Sequence, residues 1–525
     1  TAKAEPDPAL LDERWIAEAA TIGYGPDDID RLLATGAGRI TAVAGDEPLT
    51  ASTRIAVRSV DRDTGEVFEE LVTIGEIAGR VGRTLPRTNA VTTRLDVQNT
   101  VADLLSNLGS VAMLERLTDA VLAHPELVPM PIIDGADAGW EQGWTTRTLI
   151  DAEAELIDMF IPHPHPTAVV DVGVVDRMLG EMAANGRRLC ADQGDTVRRV
   201  CTQGLEVEAV VGKAGTGKTY TMNTVREVFG AAGCRVVGAC PTARAARELT
   251  DGAGIESVTI AKLLTTGLDS SVDVLVIDEA SMVATLQLHQ VMVCVRQVGA
   301  KVIVVGDHHQ LPEIEAGGSF KALLDTIGDR RCELTINRRQ RHAWEHPALD
   351  QLRDGDVNQF WTAYLDHGRV QLSEDQADVQ RRAVADWFAA YRGGSNAYLL
   401  AGTNSEVDLL NDIARDTAIA SGMVRGPSIR IDGDPYQLGD RIVLTHNHHG
   451  QLDLDTGRSA RVDNGMFATI ERIDHHRHSI DIGLVNGRRL RLTPEYLRAG
   501  HVAYGYATTF HKAQGLTCDD VFVVG

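Results

Sequence analysis

One stretch of the chain has the composition and spacing needed to hold a triphosphate. Residues 212–219 read Gly-Lys-Ala-Gly-Thr-Gly-Lys-Thr and fit the phosphate-binding loop pattern GxxxxGK followed by Ser or Thr. Its glycines let successive N–H groups point at phosphate oxygens, and the helix that follows offers its positive N-terminal end to the same anion. Lys218 would place a charge on the β- and γ-phosphates, and Thr219 would give an oxygen to Mg²⁺. We therefore predict a site for ATP and Mg²⁺ whose nucleotide contacts are Gly212, Ala214, Gly215, Thr216, Gly217, Lys218 and Thr219.

Two further strands end in polar side chains that could complete this site. Residues 274–281 read as a buried strand that ends in Asp278 and Glu279. Asp278 could hold Mg²⁺, and Glu279 could orient and polarise the attacking water. The plain alternative is a polar strand end, but the phosphate-loop pattern upstream favours catalysis. Residues 301–312 form a similar strand, after which Gln310 would lie near the γ-phosphate and report its hydrolysis.

The elements around these residues predict an α/β fold. A glycine-rich chain can match the loop pattern by chance, but a strand before the loop and a helix after it favour a true phosphate loop. From residue 190 onward strands and helices alternate, which predicts a parallel sheet with helices on both faces. The predicted strands are 206–211, 235–239, 273–278, 301–306, 397–401 and 520–524. Short strands with turns at about 428–493 predict a small β-barrel-like insert.

The first part of the chain is predicted to be mainly helical. Residues 1–50 read as helix, and apolar residues recur at a 3.6-residue period between 96 and 127. Two strands are predicted at 55–60 and 67–74. Residues 145–160 have the pattern of an amphipathic helix that a threonine caps.

Composition narrows the class of protein. A chain of 525 residues suggests about three to four domains, and no apolar run approaches the ~18 residues that a membrane span needs. Seven cysteines without a CxxC pair favour a reducing cytoplasm and argue against zinc or a disulfide framework. The net charge of −23 argues against tight non-specific duplex binding, yet it leaves room for a single strand held in a channel.

The order of the motifs resembles that of superfamily 1 DNA helicases. Within these helicases the chain is most similar to the 5′→3′ branch, which contains RecD-like enzymes and the helicase part of conjugative relaxases of the TraI/TrwC type. In chain order the motifs are Gln193, the loop 212–219, Pro241-Thr-Ala243, IDEAS at 277–281, GDHHQLP at 306–312, Asn337-Arg-Arg-Gln340, Thr403-Asn404 and YATTFHKAQG at 506–515. Residues 1–190 resemble, more weakly, the helices that precede the motor in conjugative relaxases.

The resemblance implies a domain organisation and further site residues. It implies two RecA-like P-loop NTPase domains at 187–330 and 331–525, a mainly helical domain at 1–186, and an SH3-like β-barrel as the insert. Gln193 would read the adenine edge, and Arg339 would reach the γ-phosphate as an arginine finger, with Arg338 as a competing candidate. Gln514 and Gly515 would contact nucleotide.

DNA contacts are also implied by the resemblance. They would come from Pro241, Thr242, Ala243, Thr259, Thr403, Asn404, Thr509 and His511. Each has a plainer interpretation: Pro-Thr can simply begin a helix after a strand, Thr259 can be a helix cap, and His511 can be an ordinary histidine.

The sequence departs from these relatives in two places. They carry a final arginine motif after the last strand, whereas the sequence given stops at 522–525, so we expect it to bind nucleotide and DNA but to hydrolyse ATP poorly. It begins without Met, which we interpret as a cut within a longer protein. Between Thr265 and Asp273 there is room for only a small strand-splitting pin, or none.

We therefore expect an ATP-dependent single-stranded DNA translocase or helicase, the motor part of a conjugative relaxase-helicase in the cytoplasm. Single-stranded DNA, a relaxase domain in the same full-length chain and type IV secretion components are the expected partners. The alternative is a nucleotide-gated scaffold, derived from a helicase, that binds DNA or protein with little unwinding.

Overall fold

The structure is a computed structural model that describes most of the chain from residue 53 onward. The described residues are 53–60, 67–87, 90–105, 111–132, 141–161, 168–310, 317–340, 342–485, 487–513 and 518–525, with the single residues 49, 163 and 516. Gln514, Gly515 and nearly all of the predicted helix 1–50 lie outside them.

Helices and strands are numbered along the chain. The helices are α1 (Ile74–Thr84), α2 (Arg94–Leu104), α3 (Val111–Leu122), α4 (Arg147–Phe160), α5 (Val172–Ala184), α6 (Ala191–Thr202), α7 (Lys218–Ala231), α8 (Ala243–Ala253), α9 (Ile260–Thr266), α10 (Thr285–Val298), α11 (Ser319–Ile327), α12 (Glu345–Arg353), α13 (Val357–Asp366), α14 (Gln376–Arg392), α15 (Asn404–Ala420), α16 (Pro494–Arg498) and α17 (Phe510–Ala513). The strands are β1 (Arg54–Val60), β2 (Val67–Thr73), β3 (Leu127–Ile132), β4 (Glu141–Thr146), β5 (Val207–Gly212), β6 (Val236–Cys240), β7 (Glu256–Thr259), β8 (Val274–Ile277), β9 (Lys301–Gly306), β10 (Cys332–Leu334), β11 (Ala397–Ala401), β12 (Arg425–Ile431), β13 (Asp434–Leu438), β14 (Arg441–Leu444), β15 (His448–Asp453), β16 (Ser459–Val462), β17 (Phe467–Asp474), β18 (Ser479–Leu484), β19 (Arg489–Leu492), β20 (Val502–Tyr504), β21 (Ala507–Thr509) and β22 (Asp520–Val523).

The chain divides into two compact units, of which the first contains the described residues of 1–162, 281–293 and 312–328. In it β1 pairs with β2 and β3 with β4, both antiparallel. The predicted strands near 55 and 67 and the predicted helix at 145–160 are confirmed. Thr146 caps α4, because its hydroxyl accepts the Leu149 N–H at 3.1 Å. The apolar faces of α1, α2 and α3 pack on β1 around the buried Val57 and Val101.

The second unit contains the first parallel sheet, with strand order β10-β5-β9-β8-β6-β7. Strands β5, β8 and β9 are buried along their whole length, as expected where helices cover both faces of a parallel sheet. The predicted strands in this region are confirmed. Because all these strands run in one direction, the loops after β5, β8 and β9 emerge at the same carboxyl edge.

A second parallel sheet, also in the second unit, has the order β21-β11-β22. Its core contains the fully buried Trp387 of α14, whose indole N–H donates to the Ala397 carbonyl at 3.1 Å. The predicted strands at 397–401 and 520–524 are confirmed to within a residue.

The predicted β-rich insert forms an antiparallel sheet of order β16-β15-β19-β18-β17-β14-β20, next to the β12-β13 hairpin. With the β12-β13 hairpin, this β-rich region runs from residue 425 to the end of β20 at residue 504, beyond the predicted span of about 428–493. Arg441 of β14 connects this β-rich region to the second parallel sheet. This buried guanidinium lies 5.0–6.0 Å from four ring centroids, those of Trp387, Tyr391, Tyr398 and Phe467.

The finer domain assignments stay predictions, including the RecA-like pair, the SH3-like barrel and the boundaries at 186 and 330. Among the described residues no helix is both long and apolar enough to cross a bilayer. Within the same residues, no cluster of three or more His, Cys, Asp or Glu side chains is placed to hold a metal ion.

Candidate nucleotide site and nucleic-acid contacts

The phosphate loop joins β5 to α7 and is shaped by its glycines. Gly215 and Gly217 have φ of +84° and +80°, a region that other residues rarely adopt. The hydroxyl of Thr216 donates to the Lys213 carbonyl at 2.8 Å and closes the turn. The Lys218 ammonium donates to the Gly212 carbonyl at 3.0 Å, so its charge lies inside the loop.

Asp278 and Glu279 follow β8 at the same edge. The Glu279 N–H donates to the Asp278 carboxylate at 2.9 Å. Burial, with a smaller effect from the Glu279 charge, raises the pKa of Asp278 to about 6, while Lys218 opposes the shift. Glu279 has a φ of +52°, and its buried Oε2 finds no hydrogen-bond partner within the described part of the chain. A strained acid with an unsatisfied buried oxygen is typical of a site that binds a further group.

Gln310 lies in a turn directly after β9. Its N–H donates to the Asp307 carbonyl at 3.1 Å, and its side-chain amide lies 3.5 Å from the Asp307 carboxylate. Asp307 is buried, and its carboxylate also accepts the His309 N–H at 3.1 Å. Asp307 therefore organises the turn that carries Gln310.

The segment 337–340 covers the phosphate loop. The Arg338 N–H donates to the Gly215 carbonyl at 2.9 Å, and the Asn337 side chain accepts the Arg339 N–H at 2.9 Å. A Cβ added to Gly215 would meet the Arg339 Cβ at 2.5 Å. Both arginines are exposed, and either could turn its guanidinium toward a bound phosphate.

Several known proteins are similar to this chain in sequence. A family model described as an AAA domain matches residues 188–375. The probable conjugal transfer protein TraA of Sinorhizobium fredii is 34% identical over 390 residues, which are 73% of this chain and 34% of the relative. TraA of Agrobacterium fabrum is 34% identical over 431 residues, which are 79% of this chain and 37% of the relative. The ATP-dependent RecD2 DNA helicase of Deinococcus radiodurans is 26% identical over 321 residues, which are 59% and 42% of the two chains.

The chain is related in sequence to RecD-like superfamily 1 helicases. It is related to conjugative relaxases, and the resemblance that the motif order predicted is confirmed. The chain spans about a third of the length of the TraA relatives it matches.

Gln193 is buried against the phosphate loop. Its amide N–H donates to the Thr216 carbonyl at 3.0 Å, and its amide oxygen accepts the Cys190 N–H at 3.1 Å. A cavity of about 670 Å³ between α5 and α6 is lined by Cys190 and Gly194, on either side of Gln193. The side-chain N–H and the side-chain oxygen of Gln193 both have protein partners. Its contact with adenine stays a prediction.

The threonines predicted to contact DNA are all helix caps. In each of them the hydroxyl accepts a hydrogen bond, at 3.1–3.4 Å, from the backbone N–H three residues further along the chain. The four residues are Thr242, Thr259, Thr403 and Thr509. The cap that the sequence allowed for Thr259 is therefore present, and so is the helix start after Pro241. Each threonine lies at or just after the carboxyl end of a parallel strand, which is the edge where both sheets also present their loops.

The remaining predicted DNA contacts lie beside these caps. Pro241 and Ala243 flank the first cap, Asn404 is the exposed first residue of α15, and His511 is exposed on α17. The roles of these residues in DNA binding stay predictions.

Sequence reasoning missed Asp192, which connects the start of α6 to the residues just before segment 337–340. Its carboxylate accepts the N–H groups of Thr335 and Ile336 at 2.9 and 3.2 Å. Although burial opposes it, these backbone donors hold the pKa of Asp192 below its usual range. Its neighbour Gln193 was singled out, but only the fold reveals the partners of Asp192.

Replacing Gly215 by alanine should weaken nucleotide binding about tenfold or more. The added Cβ would meet Arg339 Cβ at 2.5 Å and Asn337 Oδ1 at 2.6 Å, in a backbone conformation that already strains alanine. Gly233→Ala is the matched control, since it has φ +83° and a Cβ there meets nothing within 4 Å among the described atoms. Titration with a fluorescent ATP analogue measures both variants, and equal affinities would refute the close cover of the loop.

Proposed function

We propose that this chain hydrolyses ATP to drive movement along single-stranded DNA. The observation that carries the proposal is the meeting of three segments at one sheet edge. They are the phosphate loop, the Asp278–Glu279 pair and the covering segment 337–340. Phosphoryl transfer needs this set, because its catalysis consists of positioning and of stabilising charge on the phosphates.

ATP with Mg²⁺ fits the residues present. Any Cβ at Gly212, Gly215 or Gly217 would fill the cradle, with contacts of 2.5–2.7 Å. Mg²⁺ would be held by Thr219 and Asp278 and would neutralise phosphate charge. The unsatisfied buried oxygen of Glu279 suits a carboxylate that orients water.

The γ-phosphate would be contacted by the remaining predicted groups. Gln310 emerges from the turn that Asp307 organises. Arg339 is the proposed arginine finger, because its Cβ lies against the phosphate loop, and Arg338 is the second choice.

DNA would bind along the capped helix starts. The N-termini of α8 and α15 offer backbone N–H groups and the positive ends of their dipoles to phosphates. The caps lie at the carboxyl edges of both parallel sheets, and the nucleotide site lies at that edge of the first sheet. A conformational change on ATP hydrolysis would therefore move two DNA-binding sites relative to each other and advance the protein along single-stranded DNA, in the proposed 5′→3′ direction.

A role in conjugation is proposed from the relatives. Two of them are named conjugal transfer proteins. We infer that this motor acts in the cytoplasm beside a relaxase domain of the same full-length chain and delivers DNA to type IV secretion components.

A single-stranded oligonucleotide should bind about tenfold or more tightly than a blunt duplex of equal length. A groove that tracks one backbone releases counterions from it, so affinity should also fall steeply with salt. Fluorescence anisotropy at several salt concentrations measures both ligands. Equal affinities at moderate salt would contradict translocation on a single strand.

Stimulation of ATP hydrolysis by DNA distinguishes the motor from the scaffold alternative. A motor should hydrolyse ATP faster when single-stranded DNA is added, whereas a nucleotide-gated scaffold should bind both ligands without such stimulation. The acid pair Asp278–Glu279 favours the motor, because a scaffold has no use for a carboxylate that orients water.

A further inference from the structure

A buried ion pair joins the Gln310 turn to a helix that no motif singled out. Arg353, the last residue of α12, donates two hydrogen bonds to the Asp307 carboxylate, at 2.8 and 2.5 Å. The side chain of Asp307 is 1% exposed and that of Arg353 is 17% exposed. A bidentate guanidinium–carboxylate pair fixes orientation as well as distance.

The pair acts on the turn through Asp307. The same carboxylate accepts the His309 N–H at 3.1 Å, and the Asp307 carbonyl accepts the Gln310 N–H at 3.1 Å. Burial opposes ionisation, but the bonds from Arg353 prevail and hold the pKa of Asp307 below its usual range. An ionised Asp307 therefore holds the turn on one side and Arg353 on the other.

Helix α12 also touches the phosphate loop itself. Asp350, one turn before Arg353 and on the same face, forms an ion pair with Lys213 of the loop. His346, a further turn back, lies 3.2 Å from the carbonyl of Gln340, which ends the segment that covers the loop. One helix face thus contacts three segments of the nucleotide site, each by a different side chain.

We propose that Arg353 is a positioning residue for ATP hydrolysis, which acts through Asp307 to hold Gln310 in register with the phosphate loop. The inference rests on the proposed function, since it assigns a role within that reaction. Asp350 and His346 hold α12 against the nucleotide site, so that the backbone that carries the Arg353 guanidinium is fixed in position. Loss of Arg353 would leave the phosphate loop whole and the Gln310 turn loose.

Arg353→Ala tests the proposal in a steady-state ATPase assay with single-stranded DNA. We expect kcat to fall about 10- to 100-fold, because a misplacement of about 1 Å can cost 10²-fold in rate. KM and the affinity for an ATP analogue should change less than about threefold, since the phosphate loop is intact. Arg353→Lys should fall between, because lysine keeps the charge but loses the paired geometry. Arg382→Ala, which removes an exposed arginine of α14, is the matched control and should match the parent.

A second variant separates positioning from stability. Arg353→Ala leaves a buried carboxylate unpaired, which destabilises proteins strongly. Asp307→Asn with Arg353→Met removes both charges and keeps an acceptor for the His309 N–H, so thermal unfolding should resemble that of the parent. A low kcat in this stable double variant supports the proposal, whereas a kcat at the parent level overturns it and makes the pair structural only.

The ATPase activity of the parent chain distinguishes failure of the proposed function from failure of the proposed role of Arg353. If the parent shows no ATPase activity with DNA, the proposed function fails and the role of Arg353 falls with it. If the parent is active and Arg353→Ala has the same kcat, only the role of Arg353 is overturned.

Discussion

Glu279→Gln is expected to bind ATP as the parent chain does and to lose nearly all turnover. A positioned general base contributes about 10²- to 10⁴-fold to rate, and the amide cannot accept the proton of water. The proposed role of Glu279 lies in the transition state, so ground-state affinity should change little. The comparison is single-turnover hydrolysis with DNA present, together with nucleotide titration of both proteins.

The structure sharpens this expectation in two ways. Glu279 is held at φ +52°, and its buried Oε2 has no hydrogen-bond partner among the described residues, so the position is already set for a further ligand. The glutamine keeps the shape of the side chain, so folding should be unaffected. Glu374→Gln, at an exposed position before α14, is the control. Hydrolysis by Glu279→Gln at the parent rate would remove it from the catalytic role.

Features set by neighbouring residues could be predicted from the sequence. The phosphate loop needs glycines at positive φ, and both Gly215 and Gly217 have it. The strands that end at Ile277 and Gly306 are apolar apart from Lys301 and are followed by acids, a pattern typical of a buried parallel sheet. The alternation of strands and helices predicted a parallel sheet, and the strands of such a sheet end at one edge, where these acids therefore lie together.

Individual side-chain pairs between distant segments could not be predicted. Asp307 and Arg353 are 46 positions apart, and nothing local marks which arginine an acid will meet. Arg441 looks like an ordinary strand arginine until the fold surrounds it with aromatic rings. Strand β12 is exposed over its first four residues and alternates only from Ile429 to Ile431, so the sequence pattern marks the start of the insert weakly.

Lys218→Ala is expected to remove most of the affinity for ATP. A charge-assisted hydrogen bond is worth about 1.5–3 kcal/mol, which corresponds to roughly 10- to 150-fold in affinity. In the structure the ammonium already lies within the loop, 3.0 Å from the Gly212 carbonyl, so little reorganisation is needed when a phosphate arrives. With alanine at 218, the Gly212 carbonyl would remain beside the phosphate without a cation to offset its negative end.

The loss should extend beyond the direct contact. The Lys218 charge opposes the rise in the pKa of Asp278, so its removal would favour protonation of the carboxylate proposed to hold Mg²⁺. Triphosphate affinity measured with Mg²⁺ should therefore fall more than affinity measured in a chelator. Lys321→Ala, at an exposed position of α11, is the control. If Lys218→Ala binds ATP as tightly as the parent in the presence of Mg²⁺, the triphosphate does not occupy this loop.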